Sequence, residues 1–173
     1  MQLLDILSHE KWVMLEKRIN NRSGLNAAVF NSEGQRITQF VKWANRLCAV
    51  IKSDKLGQSY ICAAAHQNIA AQAKKLHKPI IEACDAGLMK LVVPIFVKDE
   101  FLGVASGCGC FLDDNEIDVF MIQKTTGLEE SAIEDRSQDI PKLTQKQIEP
   151  LVEFIRKEVE QIVIQYENSL PAP

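Results

Sequence analysis

The stretch from position 80 to 110 constrains this chain more than any other. Leu91-Val92-Val93-Pro94-Ile95-Phe96-Val97 is β-branched and aromatic, Lys98-Asp99-Glu100 is a polar turn, and Phe101-Leu102-Gly103-Val104-Ala105-Ser106-Gly107-Cys108 returns. Two such runs joined by a polar turn are a β-hairpin, which needs further strands or a packed helix to be stable in water. In the returning strand, alternation puts Gly103, Ala105 and Gly107 on one face and Leu102, Val104, Ser106, Cys108 and Cys110 on the other. A face that bare is expected to admit a helix or a ligand. Ile80-Ile81-Glu82-Ala83-Cys84 reads as one more strand, ended by the turn Asp85-Ala86-Gly87.

Helical and extended patterns alternate around this hairpin. Apolar residues recur at helical spacing from Leu3 to Asn20, and Asn21-Arg22-Ser23-Gly24 ends that helix. Leu25-Asn26-Ala27-Ala28-Val29-Phe30 is a strand, Asn31-Ser32-Glu33-Gly34 a turn, and Arg36-Ile37-Thr38-Gln39-Phe40 its expected partner strand. Residues 43–53 and 59–76 read as helices before Lys78-Pro79 breaks the pattern. Two short helices follow near 115–122 and 129–133, then a long one over 144–168. Its stripe, Ile148, Leu151, Val152, Ile155, Val159, Ile162 and Val163, calls for a partner. That partner is either the domain's own sheet or a second copy in a homodimer. The expected architecture is α+β: a PAS/GAF-like antiparallel five-stranded sheet flanked by helices, with N- and C-terminal helices. Residues 1–142 form the domain, and 143–173 a C-terminal helix for dimerisation or signal transmission, with a tail.

The cysteines carry the chemical signal. There are five, an odd number with no regular spacing, which argues against a disulfide framework. Cys62 and His66 are four apart, so on a helix they share a face about 6 Å apart. Cys108 and Cys110 are two apart on a strand, hence on one side with backbones roughly 6.6 Å apart. That is at the edge of disulfide geometry but easy for two thiolates on one metal. Cys84 lies at a strand end. Taken alone, Cys62 with His66, and Cys84, read more readily as buried thiols and a satisfied histidine, whereas for Cys108 with Cys110 a packed pair and a metal-binding pair stand about even. Together, Cys62, His66, Cys84, Cys108 and Cys110, with Cys48 nearby, offer soft ligands for zinc, copper(I), an iron–sulfur cluster or a thiolate-ligated haem.

Several of these residues also carry a resemblance. Cys48 after an apolar helix start, Cys62 opening a second helix, Cys84-Asp85-Ala86-Gly87-Leu88, Val93-Pro94-Ile95 and Phe101-Leu102-Gly103 before Ser106-Gly107 resemble, in that order, the PocR-type sensory domain. The resemblance spans most of the chain. It implies a PAS-like fold with a small ligand bound against the sheet beneath the helices of 43–76, by Trp43, Cys48, Cys62, Cys84 and Gly87, and a role in bacterial or archaeal signalling. Cys108-Gly109-Cys110 departs from the expected strand end, and turns the expectation from a purely organic ligand toward a metal cofactor.

Other classes are excluded or unsupported. A net charge of −3 and a pI near 5.7 give no broad attraction for phosphate backbones, so direct nucleic-acid binding is not expected. No apolar stretch approaches the roughly 20 residues of a bilayer span, so a cytoplasmic protein is expected. No phosphate-binding glycine loop or nucleophile elbow is present, and no enzyme is expected. Two rivals to a ligand- or metal-binding sensor remain: a cofactor-free thiol redox switch, and a dimerisation module.

Overall fold

A computed structural model describes residues 1–171, so Ala172 and Pro173 at the end of the expected tail lie outside it. The first helical pattern is two helices, α1 (Leu3–Ile6) and α2 (His9–Ser23). Gly24 ends α2 in the left-handed conformation, φ 73°, where its N–H bonds the Asn20 carbonyl. β1 (Asn26–Asn31) follows, then α3 (Arg46–Ser53), a π-helical segment (Gly57–Ala63) running straight into α4 (Ala64–Leu76), β2 (Ile80–Ala83), β3 (Met89–Val97) and β4 (Glu100–Leu112). Helices α5 (Val119–Thr126) and α6 (Glu130–Ser137), the two-residue β5 (Lys142–Leu143) and α7 (Gln145–Ser169) complete the chain. α7 starts ahead of Pro150 because Thr144 and Gln147 close a reciprocal capping box.

The sheet is ordered β1-β4-β3-β2, all antiparallel neighbours, and β5 adds in parallel to the end of β4. The α+β fold with helices flanking a five-stranded sheet is therefore as expected, but the fifth strand is a different one. Arg36 to Phe40 makes only a single bridge to Phe30 and otherwise runs as extended loop. Its own side chains hold it in place instead: Arg36 Nη2 donates to the carbonyls of Ala27 and Phe40, and Thr38 Oγ1 to the carboxylate of Glu16.

Each face of the sheet has its own cover. Ala27, Val29, Leu91, Val93, Ile95 and Ala105 pack against Trp12, Leu15 and Ile19 of α2 and Ile148, Leu151, Ile155, Val159 and Ile162 of α7. The α7 stripe thus covers the domain's own sheet. On the opposite face Val92 and Val104 meet Ala65, Ile69 and Ala73 of α4. A further cluster of Leu47, Ile51, Ile61, Leu88, Phe111, Ile122 and Ile133 holds α3, the π-helical segment, α5 and α6 together.

Two bulges overturn the simple alternation expected of β4. Lys90 pairs with Cys108 but Met89 pairs with Cys110, leaving Gly109 as the extra residue; Ile95 pairs with Gly103 but Phe96 with Phe101, leaving Leu102 extra. Gly109 and Gly103 sit at φ 104° and 151°, a region L-residues avoid. Each bulge flips the side-chain sequence. Leu102 and Cys110 join Gly103, Ala105 and Gly107 toward α2 and α7, whereas Val104, Ser106 and Cys108 face the other side. The bare face is filled closely: a Cβ on Gly107 would lie 3.1 Å from Leu25 Cδ1.

Candidate functional site

Between the sheet and the roof of α3, the π-helical segment and α4 lies a cavity of about 400 Å³. Its floor is supplied by Asn26 and Phe30 of β1, Lys90 of β3 and Cys108 and Gly109 of β4; its roof by Cys48, Lys52, Gln58, Cys62, His66 and Gln67. Cys84 and Leu88 close one end, and the loop residues Gly34, Gln35, Arg36 and Trp43 border it.

Four cysteines open onto this space. Cys48 is placed by Asn45, the N-cap of α3: its Oδ1 accepts from Cys48 N at 2.7 Å, while its Nδ2 donates to Gly109 O at 2.7 Å and lies 3.3 Å from Cys48 Sγ. One side chain therefore ties the helix to the bulge. Cys62 rides on the π-helical segment, a geometry found frequently at functional sites. Cys84 directly follows β2, held by its N–H to Leu88 O at 2.8 Å. Cys108 reaches the cavity because the bulge leaves it on the Lys90 side of the sheet.

Burial, reinforced by Cys108 and its fellow thiols, holds the Cys48 thiol well above the ordinary range. The same causes push Cys62 up to about 11. Cys84 is raised by burial against the pull of the Leu88 and Ala86 N–H groups. These three are protonated at neutral pH. His66, tilted 33° against the Phe30 ring with centroids 3.8 Å apart, is forced down to about 3 by burial and then by Lys90 and Lys52, so it is neutral. Neither of its ring nitrogens finds a partner in the protein, nor does Asn26 Oδ1.

The structure thus brings together Trp43, Cys48, Cys62, His66, Cys84 and Cys108, and leaves out two expected residues. Cys110 does not share a face with Cys108. It is wholly buried in the α2–α7 core, where burial pushes its thiol up to about 12. Gly87 does not line the cavity: at φ 84° it lets the 116–118 segment dock, and a Cβ there would lie 2.0 Å from Glu116 O. Among the described residues no three His, Cys, Asp or Glu side chains stand close enough to hold one metal ion. The thiols surround the cavity instead of meeting at a point. Sequence reasoning missed Asn45, Arg36, Lys52 and Lys90; only Asn45, a capping residue type at a helix start, had a local signal.

The model of the family described as the sensory domain found in PocR matches residues 5–166. No curated protein and no solved structure matches.

Proposed function

Because the chain belongs to the family of sensory domains found in PocR, we propose that its input is a small ligand bound in the cavity under α3, the π-helical segment and α4. The single observation that carries this is the cavity itself: at about 400 Å³ it lies within the size range of small-molecule sites, and it sets apolar surface from Phe30, Trp43 and Leu88 beside polar side chains such as Asn26, Gln58, His66 and Lys90. Signal leaves through α2 and α7. Lys90 and Val92 face the ligand side of β3 while the intervening Leu91 packs toward those helices. Arg36 reaches from the cavity rim to within 3.7 Å of Glu16, a buried carboxylate of α2. The domain is a signalling unit and not a catalyst in this reading.

Trp43 gives the test. Titration with a small-molecule panel should quench or shift its fluorescence, and Trp43→Phe should remove the response, leaving only Trp12 of the core. No ligand-dependent change in any titration would overturn the reading.

The four thiols favour a second reading, in which Cys48, Cys62, Cys84 and Cys108 hold a thiolate-ligated metal cofactor. Sulfurs placed around a space suit a cluster that spreads its ligands over several irons better than a single zinc or copper ion. When bound, such a cluster would make the sensor responsive to redox state or oxygen. Binding it would release the thiol protons. Anaerobic purification with analysis for iron, zinc, copper and acid-labile sulfide, and a visible spectrum, decides this. At Cys48, Cys62 and Cys84 the raised thiols run against a cofactor-free redox switch, which needs a low-pKa thiolate.

A further inference from the structure

The charges around the cavity are of one sign. Arg36, Lys52 and Lys90 all line it, and no Asp or Glu does, although the chain as a whole carries a net −3. Lys90 is only 7% exposed and, like Lys52, forms no ion pair among the described residues. Its Nζ lies 5.7 Å from the Phe30 ring centroid, a weak partner for a buried cation. Glu82 pairs with Lys90 across β2 and β3, but its carboxylate accepts from Gln72 Nε2 at 3.0 Å. The Arg36 Nη2 is engaged by Glu16 and two carbonyls, yet its Nε is buried without a partner. Burying unpaired cations costs stability, and a protein keeps such a set where an anion completes it.

We propose that the ligand of this cavity is a small organic oxyanion, a carboxylate or phosphate ester, whose charged head is held by Lys52, Lys90 and Arg36 Nε. Its apolar body rests against Phe30, Trp43 and Leu88, and His66, neutral and unpartnered, offers one N–H to an uncharged oxygen. This rests on the reading of the cavity as the sensing site and does not require a metal.

The experiment uses the 173-residue chain after treatment with a chelator. Benzoate and phenyl phosphate are compared with neutral counterparts, benzamide as the isostere of benzoate and phenol as phenyl phosphate without its phosphoryl group, by thermal shift and Trp43 fluorescence. The expected result is that at least one anion binds and its neutral counterpart does not. Losing one charge-assisted contact in Lys90→Met or Lys52→Met weakens it by about 10- to 100-fold. Without ligand, Lys90→Met should melt no lower than the wild type, since it removes an unpaired buried charge, which also shows that the variant folds. Binding of the neutral probes at equal affinity overturns the anion assignment but leaves the sensing cavity standing, as does anion binding unchanged in both lysine variants. Absence of response to every probe overturns the assignment, and the broader ligand panel then decides on the cavity.

Discussion

The bulge at Gly109 separates two cysteines that sequence spacing puts together, and the separation can be measured. Cys110 is fully buried, packed with Met89 and the apolar side chains of α2 and α7. Replacing its thiol by a hydroxyl buries a polar group with no side-chain partner there, at a cost of about 1–3 kcal/mol. For a chain of this length each kcal/mol moves the melting temperature by about 2–4 °C, so Cys110→Ser should melt about 2–12 °C below the wild type. Cys108→Ser should behave differently. Its side chain borders the cavity, where a hydroxyl can be met by water instead of being buried without a partner. Its cost should stay within about 0.5 kcal/mol. Thermal melts of the two variants under reducing conditions give the comparison. Alkylation gives a second view, since Cys110 should remain protected until the core opens. Equal losses, or a larger one at Cys108, would mean that both thiols share a face and that the bulge assignment is wrong.

Two further outcomes follow from the same geometry. His66 is depressed from its usual 6.5 to about 3, mainly by burial; the unfolded chain therefore takes up a proton that the folded one refuses. The associated stability is whole above pH 6.5 and is lost as pH falls toward 3, at about 1.4 kcal/mol per unit. The difference in unfolding free energy between wild type and His66→Phe should accordingly narrow or reverse by about 2 kcal/mol from pH 6.5 to 5; a pH-independent difference would refute the burial argument. Gly109→Ala combines a left-handed φ of 104° with a Cβ only 2.8 Å from Ala44 Cβ and 3.6 Å from Cys48 Sγ. About 1–3 kcal/mol of destabilisation is expected, with displaced α3 and reduced ligand binding in a variant that still folds; an unchanged melting temperature would count against the bulge.

What the sequence made legible depended on whether a local pattern decided the outcome. The hairpin of β3 and β4, the strand before it and the long last helix were readable because β-branched runs and helical spacing speak for themselves. Glycines inside β4 were the warning that alternation fails there, yet nothing local says that the extra residues are Leu102 and Gly109; that is set by register with β3 and the approach of Phe30 and Ala44. Arg36 to Phe40 had strand composition but lost the sheet edge. Its arginine and threonine are committed to Ala27, Phe40 and Glu16, contacts between residues far apart in sequence. The cationic lining was invisible for the same reason. Arg36, Lys52 and Lys90 come from a loop, a helix and a strand, and look like any surface charge until the fold gathers them.

The α7 stripe shows how that gathering redirects a prediction about output. A heptad-like row ending a sensor suggests a dimer seam, in which Ile155→Glu with Val159→Glu would yield a soluble monomer. In the fold Ile155 is wholly buried and Val159 is 6% exposed, both against the sheet and α2. Two carboxylates there would each meet a desolvation cost of several kcal/mol, comparable with the roughly 5–15 kcal/mol that holds a domain together. The double variant should therefore unfold or aggregate. A test of association must instead use side chains left outside: Met14 of α2 and Ile164 of α7 are about half exposed, at 53% and 48%. If copies pair along these terminal helices, Met14→Glu with Ile164→Glu should lower the sedimentation mass by half and leave the melting temperature within a few degrees. A wild type that sediments as a monomer at high micromolar concentration would refute pairing. The helices would then transmit by shifting against the sheet, and Arg36 and Glu16 would be the first contacts to examine for coupling.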